Sequence, residues 1–181
     1  VFGWVEHFNE AGFQVIGLDL RGHGKSGKPV DQACYGTENL AQDVIVLMDE
    51  LGIEQASLVG YSLGSAVALH LIEAFPARFS KAALLATGDG LLGKPPHTFS
   101  ELLPILAEAV SRIEFPDDLA PYVAAYWQFV TDSGGSREAI AAAARASYPP
   151  MSVASASQVA QPVLVVSGAK DPVLGTGPYL A

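Results

Sequence analysis

An α/β fold is what this sequence predicts: a mostly parallel sheet flanked by helices, with a helical lid insertion. Three observations predict it. Short apolar runs at residues 13–18, 56–61, 82–86 and 162–167 read as strands suited to burial on both faces, with amphipathic helical patterns among them. The run at 56–61 passes through Gly60-Tyr61-Ser62-Leu63-Gly64 directly into a helical pattern. From about residue 91 to 159 the strands stop, and helical segments follow one another, broken by prolines and by Ser133-Gly134-Gly135.

Residues 1–11 read as the back half of an amphipathic helix, with Phe2, Val5 and Phe8 at helical spacing and Gly12 ending it in a left-handed conformation. The strand at 13–18 runs into a glycine-rich polar loop, Asp19-Leu20-Arg21-Gly22-His23-Gly24-Lys25-Ser26-Gly27. Thr37 is the expected N-cap of a helix reaching Leu51, with Leu40, Val44, Leu47, Met48 and Leu51 as its apolar stripe and Gly52 closing it. After the strand at 56–61 a helix spans 63–75, stopped by Pro76. The strand at 82–86 ends in Thr87-Gly88-Asp89-Gly90. Helical segments are predicted at 100–113, 117–130 and 137–147; an insertion of this kind between parallel strands is a candidate lid over the sheet's carboxyl edge. Its aromatic residues Tyr122, Tyr126, Trp127 and Phe129 read first as lid core and second as substrate contacts, and residues 138–146 are an alanine-rich helix former. The expected organisation is a core in 1–90, a lid in 91–159 and the core resumed in 160–181.

Of the 181 residues half are hydrophobic, enough for one domain with a sizeable core. The formal charge is −9 with lysine and arginine dispersed, which leaves no cationic face for nucleic acid and reads as a solvated, soluble surface. Cys34 is the only cysteine, so no internal disulfide or thiolate zinc cluster can form within the sequence. No apolar run approaches the length of a membrane span, and the expected location is cytoplasmic.

Chemistry concentrates at Ser62. A serine held on a sharp strand-to-helix turn needs neighbours two before and two after without colliding side chains, and Gly60 and Gly64 meet that need. The following helix aims its N-terminal amides and its dipole at the place where an oxyanion would form. Alone, the five-residue pattern is equally a bland Gly-Ser turn; the flanking strand and helix favour a nucleophile.

Three segments, the Asp19–Ser26 loop, the Gly60–Gly64 elbow and the strand followed by Gly168-Ala169-Lys170-Asp171-Pro172, together resemble the α/β-hydrolase superfamily. The likeness is to its small lid-bearing serine esterases, lactonases, haloperoxidase-like enzymes and carbon–carbon bond hydrolases, and it covers nearly the whole chain. It implies Ser62 as nucleophile, the Leu63 N–H as one oxyanion donor and Asp171 as the acid that orients a histidine. For Asp171 a turn before Pro172 is the bland alternative, and in Gly88-Asp89-Gly90 a turn is the better account of Asp89. Haloalkane dehalogenases and epoxide hydrolases of the superfamily carry an aspartate at the elbow, where this chain has a serine.

In the resembled family the catalytic histidine follows the acid, beyond a last strand. All four histidines here, His7, His23, His70 and His97, precede Asp171, so the catalytic histidine is expected to be absent from this chain. His7 and His70 read as surface or packing residues, His23 as holding its own loop together, and His97 as opening the lid region. The loop carrying the second oxyanion donor would fall before Val1. The sequence thus reads as an internal fragment of a longer hydrolase, lacking a strand between 13–18 and 56–61, and by itself inactive and prone to aggregate. The function implied is hydrolysis of a carboxylic ester, lactone or similar small-molecule acyl substrate through an acyl-enzyme, with no metal or organic cofactor. The alternatives are a non-catalytic ligand-binding protein on the same fold and cofactor-free haloperoxidase or perhydrolase chemistry.

Overall fold

A computed structural model describes residues 3–94, 99–114, 120–133, 135–171 and 175. Its centre is a three-stranded, wholly parallel sheet in the order β1 (Ala56–Tyr61), β2 (Phe79–Leu85), β3 (Val163–Val166). The register sets Tyr61 beside Leu85 and Leu85 beside Val166, so the strands end level and the residues after them share one carboxyl edge. One face of the sheet is covered by α3 (Leu63–Ala74), which packs on β1 and β2, and α2 (Thr37–Glu50) packs on α3 in turn. Leu40, Ile45 and Met48 of α2, Leu71 and Ile72 of α3, and Phe79 and Leu84 of β2 are the heart of this core. Successive strand residues point to opposite faces. On the opposite face Val59, Tyr61, Leu164 and Val166 are 47–71% exposed among the described residues.

The apolar run at 13–18 is not a strand. A strand exists through its neighbour's hydrogen bonds, and among the described residues no ladder includes this segment. Phe13, Ile16 and Leu18 are left 37–53% exposed. The helix before it, α1 (Trp4–Glu10), buries none of its residues. Its stripe packs on itself and on the next segment: Trp4 stacks on Phe8 at 5.9 Å, and Phe8 meets Phe13 edge-on at 6.2 Å. Phe2 lies outside the described residues.

The N-cap of α2 is Gly36, one residue earlier than the sequence pattern suggests. Gly36 has φ 102°, and a Cβ there would stand 2.9 Å from the Ser147 carbonyl oxygen, so the backbone approach excludes a side chain and moves the cap off Thr37. Leu40, Ala41, Ile45 and Met48 carry the buried stripe, whereas Leu51 is 53% exposed. Leu51 follows the last turn, off the face that meets α3.

Helices α4 (Phe99–Ser111), α5 (Pro121–Asp132) and α6 (Arg137–Arg145) and the single turn α7 (Val153–Ala156) fill the stretch between β2 and β3. Leu102, Leu103 and Leu106 of α4 and Val123 of α5 belong to the same core as α2 and α3. In α6, Ala139, Ala141, Ala142, Ala143 and Ala144 are all buried, and their short side chains let this helix lie close against α4. Trp127 is buried, donates Nε1–H to the Arg112 carbonyl at 3.1 Å and lies 4.5 Å beneath the Arg137 guanidinium, while Phe129 faces solvent.

Candidate active site

Ser62 sits between β1 and α3 with φ 51° and ψ −113°, one of only two non-glycine residues with positive φ among those described. The backbone is held there from both sides. Its N–H donates to the Leu85 carbonyl of β2 at 2.9 Å, and its own carbonyl accepts the Ser65 N–H at 2.8 Å. A Cβ on Gly60 would stand 2.3 Å from the Gly64 carbonyl oxygen and 2.7 Å from the Ser65 nitrogen, so this close approach of strand to helix requires glycine. Gly64 is different. A Cβ there would meet nothing within 4 Å among the described residues, where the expected need for glycine on both sides of Ser62 holds on one side only.

The Ser62 side chain occupies the N-cap of α3 without making a capping hydrogen bond. Ser62 is half-buried, and its hydroxyl is unpartnered among the described residues, at a helix N-terminus on the carboxyl edge. The Leu63 N–H, at the first helical position, has no intrahelical acceptor. The arrangement offers a hydroxyl and a free amide side by side, with the positive end of the helix dipole behind them.

Sequence patterning gives no notice of Ser65. It is fully buried, and its Oγ lies 2.9 Å from each of the Gly60 and Leu85 carbonyls, tying the first turn of α3 to the ends of β1 and β2. Ser65→Ala removes the one O–H donor that these two carbonyls share and is expected to lower stability by about 1–2 kcal/mol in urea unfolding.

The glycine-rich loop is bolted internally rather than opened toward a ligand. The Asp19 carboxylate accepts the Lys25 N–H at 2.9 Å, the Ser26 hydroxyl donates to the Asp19 carbonyl at 2.5 Å, and the Gly22 N–H donates to the Gly27 carbonyl at 2.8 Å. Gly24 has φ 47°, and a Cβ there would overlap the Asp19 carboxylate at 2.1 Å. His23 works inside the loop, its Nδ1 3.2 Å from the Arg21 carbonyl. Arg21 clamps the loop to α2 through a two-pronged pair with Asp43 at 2.7 and 2.5 Å and donates to the Cys34 carbonyl at 2.5 Å. The hydrogen bond from Asp43 raises the Arg21 pKa against the opposing effect of burial. Lysine cannot reproduce the fork. Arg21→Lys is therefore expected to cost about 1 kcal/mol, read as a lower urea midpoint at unchanged m-value.

Asp171 lies past the end of β3, half-buried, in a turn closed by its own N–H on the Gly168 carbonyl at 3.1 Å. Pro172 is outside the described residues. Asp89 is 5% exposed and opens a 3-10 turn, Asp89–Leu92. His7 on α1 is exposed; His70 on α3 is half-buried and borders a cavity of about 400 Å³ with Glu38, Glu73, Tyr148 and Met151. A second cavity of about 550 Å³ lies beside Arg137 and Arg145 of α6. Neither of these two is lined by Ser62, Leu63 or Asp171. His97 lies outside the described residues. No helix among the described residues is long and apolar enough to cross a membrane.

A family model described as the alpha/beta hydrolase fold matches residues 1–113. The chain is 30% identical over 178 residues to 3-oxoadipate enol-lactonase 2 of Acinetobacter baylyi, covering 93% of this chain and 65% of that protein. It is 34% identical over 97 residues to epoxide hydrolase B of Mycobacterium tuberculosis, covering 52% of this chain and 27% of that protein. Among solved structures, an esterase from Exiguobacterium antarcticum superposes with a TM-score of 0.73 at 21% identity, over 94% of this chain and 69% of that one, a likeness of fold. The chain thus spans between about a quarter and two thirds of the length of these relatives.

Proposed function

The chain belongs to the α/β-hydrolase family, and on that premise we propose that the whole protein is a serine hydrolase acting on a carboxylic ester, lactone or similar acyl substrate. One observation carries the reading. The Ser62 hydroxyl stands uncommitted on a strained backbone, beside the amides of α3, where the three strand ends converge. In the proposed reaction Ser62 Oγ attacks the acyl carbonyl, and its proton passes to a histidine that follows Asp171 in the whole protein. Asp171 holds that histidine in the accepting tautomer and stabilises its cation. The Leu63 N–H receives the oxyanion, the alcohol leaves with the proton returned by the histidine, and water attacks the acyl-enzyme by the same route. The helices between β2 and β3 are proposed as the lid that excludes bulk water from this edge.

Similarity to an epoxide hydrolase does not transfer that chemistry, because the family's epoxide-opening members use a carboxylate at the elbow and residue 62 is a serine. A fluorophosphonate probe on the intact protein tests the proposal. Covalent labelling at Ser62, lost in Ser62→Ala, is the expected result. An unlabelled Ser62 in folded, intact protein overturns it in favour of a non-catalytic binding role.

A further inference from the structure

The end of β2 holds two unfavourable features side by side. Ala86 is the other non-glycine residue with positive φ, at 48°, and Thr87 is fully buried with its Oγ1 lacking any hydrogen-bond partner among the described residues. Either alone is uncommon, and both disfavour the folded state. Strand ends can shed such features easily, since valine is nearly isosteric with threonine and glycine relieves a positive φ. Their presence together at one point calls for a use.

The surroundings suggest which. The Leu85 carbonyl, one residue before Ala86, accepts the Ser62 N–H and the Ser65 hydroxyl, so this strand end braces the elbow. On its other side the Ala86 N–H donates to the Val166 carbonyl at 2.9 Å, and the Ser167 hydroxyl donates to the Thr87 carbonyl. Those bonds fasten Thr87 to the root of the turn that carries Asp171, which folds back through its N–H to Gly168. Thr87, at the end of the middle strand, therefore lies between the nucleophile's segment and the acid's segment, and its buried hydroxyl has a donor to spare.

We propose that the Thr87 hydroxyl is a positioning donor for the Asp171 carboxylate, engaged when the triad is assembled in the intact protein. The inference rests on the serine-hydrolase reading above. Thr87 touches neither substrate nor nucleophile; it fixes the acid, which fixes the histidine. A carboxylate with one oxygen anchored presents the other in a single direction, and loss of the anchor lets it rotate away from the ring.

The test uses the intact protein. Thr87→Val is expected to lower kcat about tenfold at unchanged KM in folded protein. Thr87→Ser is expected to keep parental kcat, and Thr87→Ala substitutes for the valine variant if that one does not fold. In an Asp171→Asn background the valine substitution is expected to cost nothing further, which identifies Asp171 rather than Asp89 as the acceptor. Unchanged kcat in folded Thr87→Val overturns the inference, as does a serine variant as slow as the valine one or a full tenfold loss in the Asp171→Asn background. Fluorophosphonate labelling keeps the two claims apart: if Ser62 labels in the parent and Thr87→Val is as fast as the parent, only the role of Thr87 falls.

Discussion

Replacing Ser62 by alanine is expected to lower kcat on acyl substrates by on the order of 10⁴-fold or more while leaving the intact protein folded. The size follows from removing the group on which the acyl-enzyme forms; what remains is binding and whatever the α3 amides give to a water attack. The second half of the expectation is the more discriminating. The Ser62 hydroxyl makes no capping bond to α3 and no other hydrogen bond among the described residues, so alanine removes no structural contact. The strained φ of 51° disfavours serine and alanine alike. Unfolding free energies of the two proteins in urea should therefore agree within about 0.5 kcal/mol. Ser65→Ala makes the opposite pair of changes, lower stability without loss of the nucleophile, because its hydroxyl is committed to the Gly60 and Leu85 carbonyls. Undiminished turnover in Ser62→Ala removes the serine mechanism outright, and a large fall in stability shows the residue to be a scaffold element.

What was legible in the sequence was what local sterics and periodicity control. The elbow could be seen because a close approach of strand to helix permits only glycine at residue 60. The helices over 37–50, 63–74 and 137–145 could be seen because their apolar spacing is helical and glycine or proline marks their ends. Strandedness is a different kind of property. Residues 13–18 and 163–166 are similar apolar runs, yet among the described residues only the second has a neighbour to pair with, and pairing is not written in the run itself. The cap at Gly36 was hidden for a like reason: Ser147, distant in sequence, sets the approach there. Thr87 and Ser65 were invisible because a small hydroxyl acquires its meaning only from the strand ends packed around it.

Gly60 and Gly64 look equivalent in the motif, and they are expected to respond in opposite ways to alanine. In Gly60→Ala the new methyl overlaps the Gly64 carbonyl oxygen at 2.3 Å, its carbon at 2.6 Å and the Ser65 nitrogen at 2.7 Å. All three are backbone atoms of the first turn of α3, so no side chain can swing aside. The helix must move away from β1, which breaks the Ser65 bonds to Gly60 and Leu85 and shifts the Ser62 N–H off Leu85. A loss of about 3 kcal/mol in unfolding free energy and abolished fluorophosphonate labelling are expected. In Gly64→Ala the methyl meets nothing within 4 Å, and the backbone there is not left-handed. Alanine also has the higher helix propensity, so stability should be unchanged or higher by up to about 1 kcal/mol, with labelling retained. Equal damage from both substitutions contradicts the strand-to-helix approach described for Gly60. Damage confined to Gly60 shows that one glycine of the pair sets the position of Ser62, because its missing side chain is what lets β1 and α3 meet there.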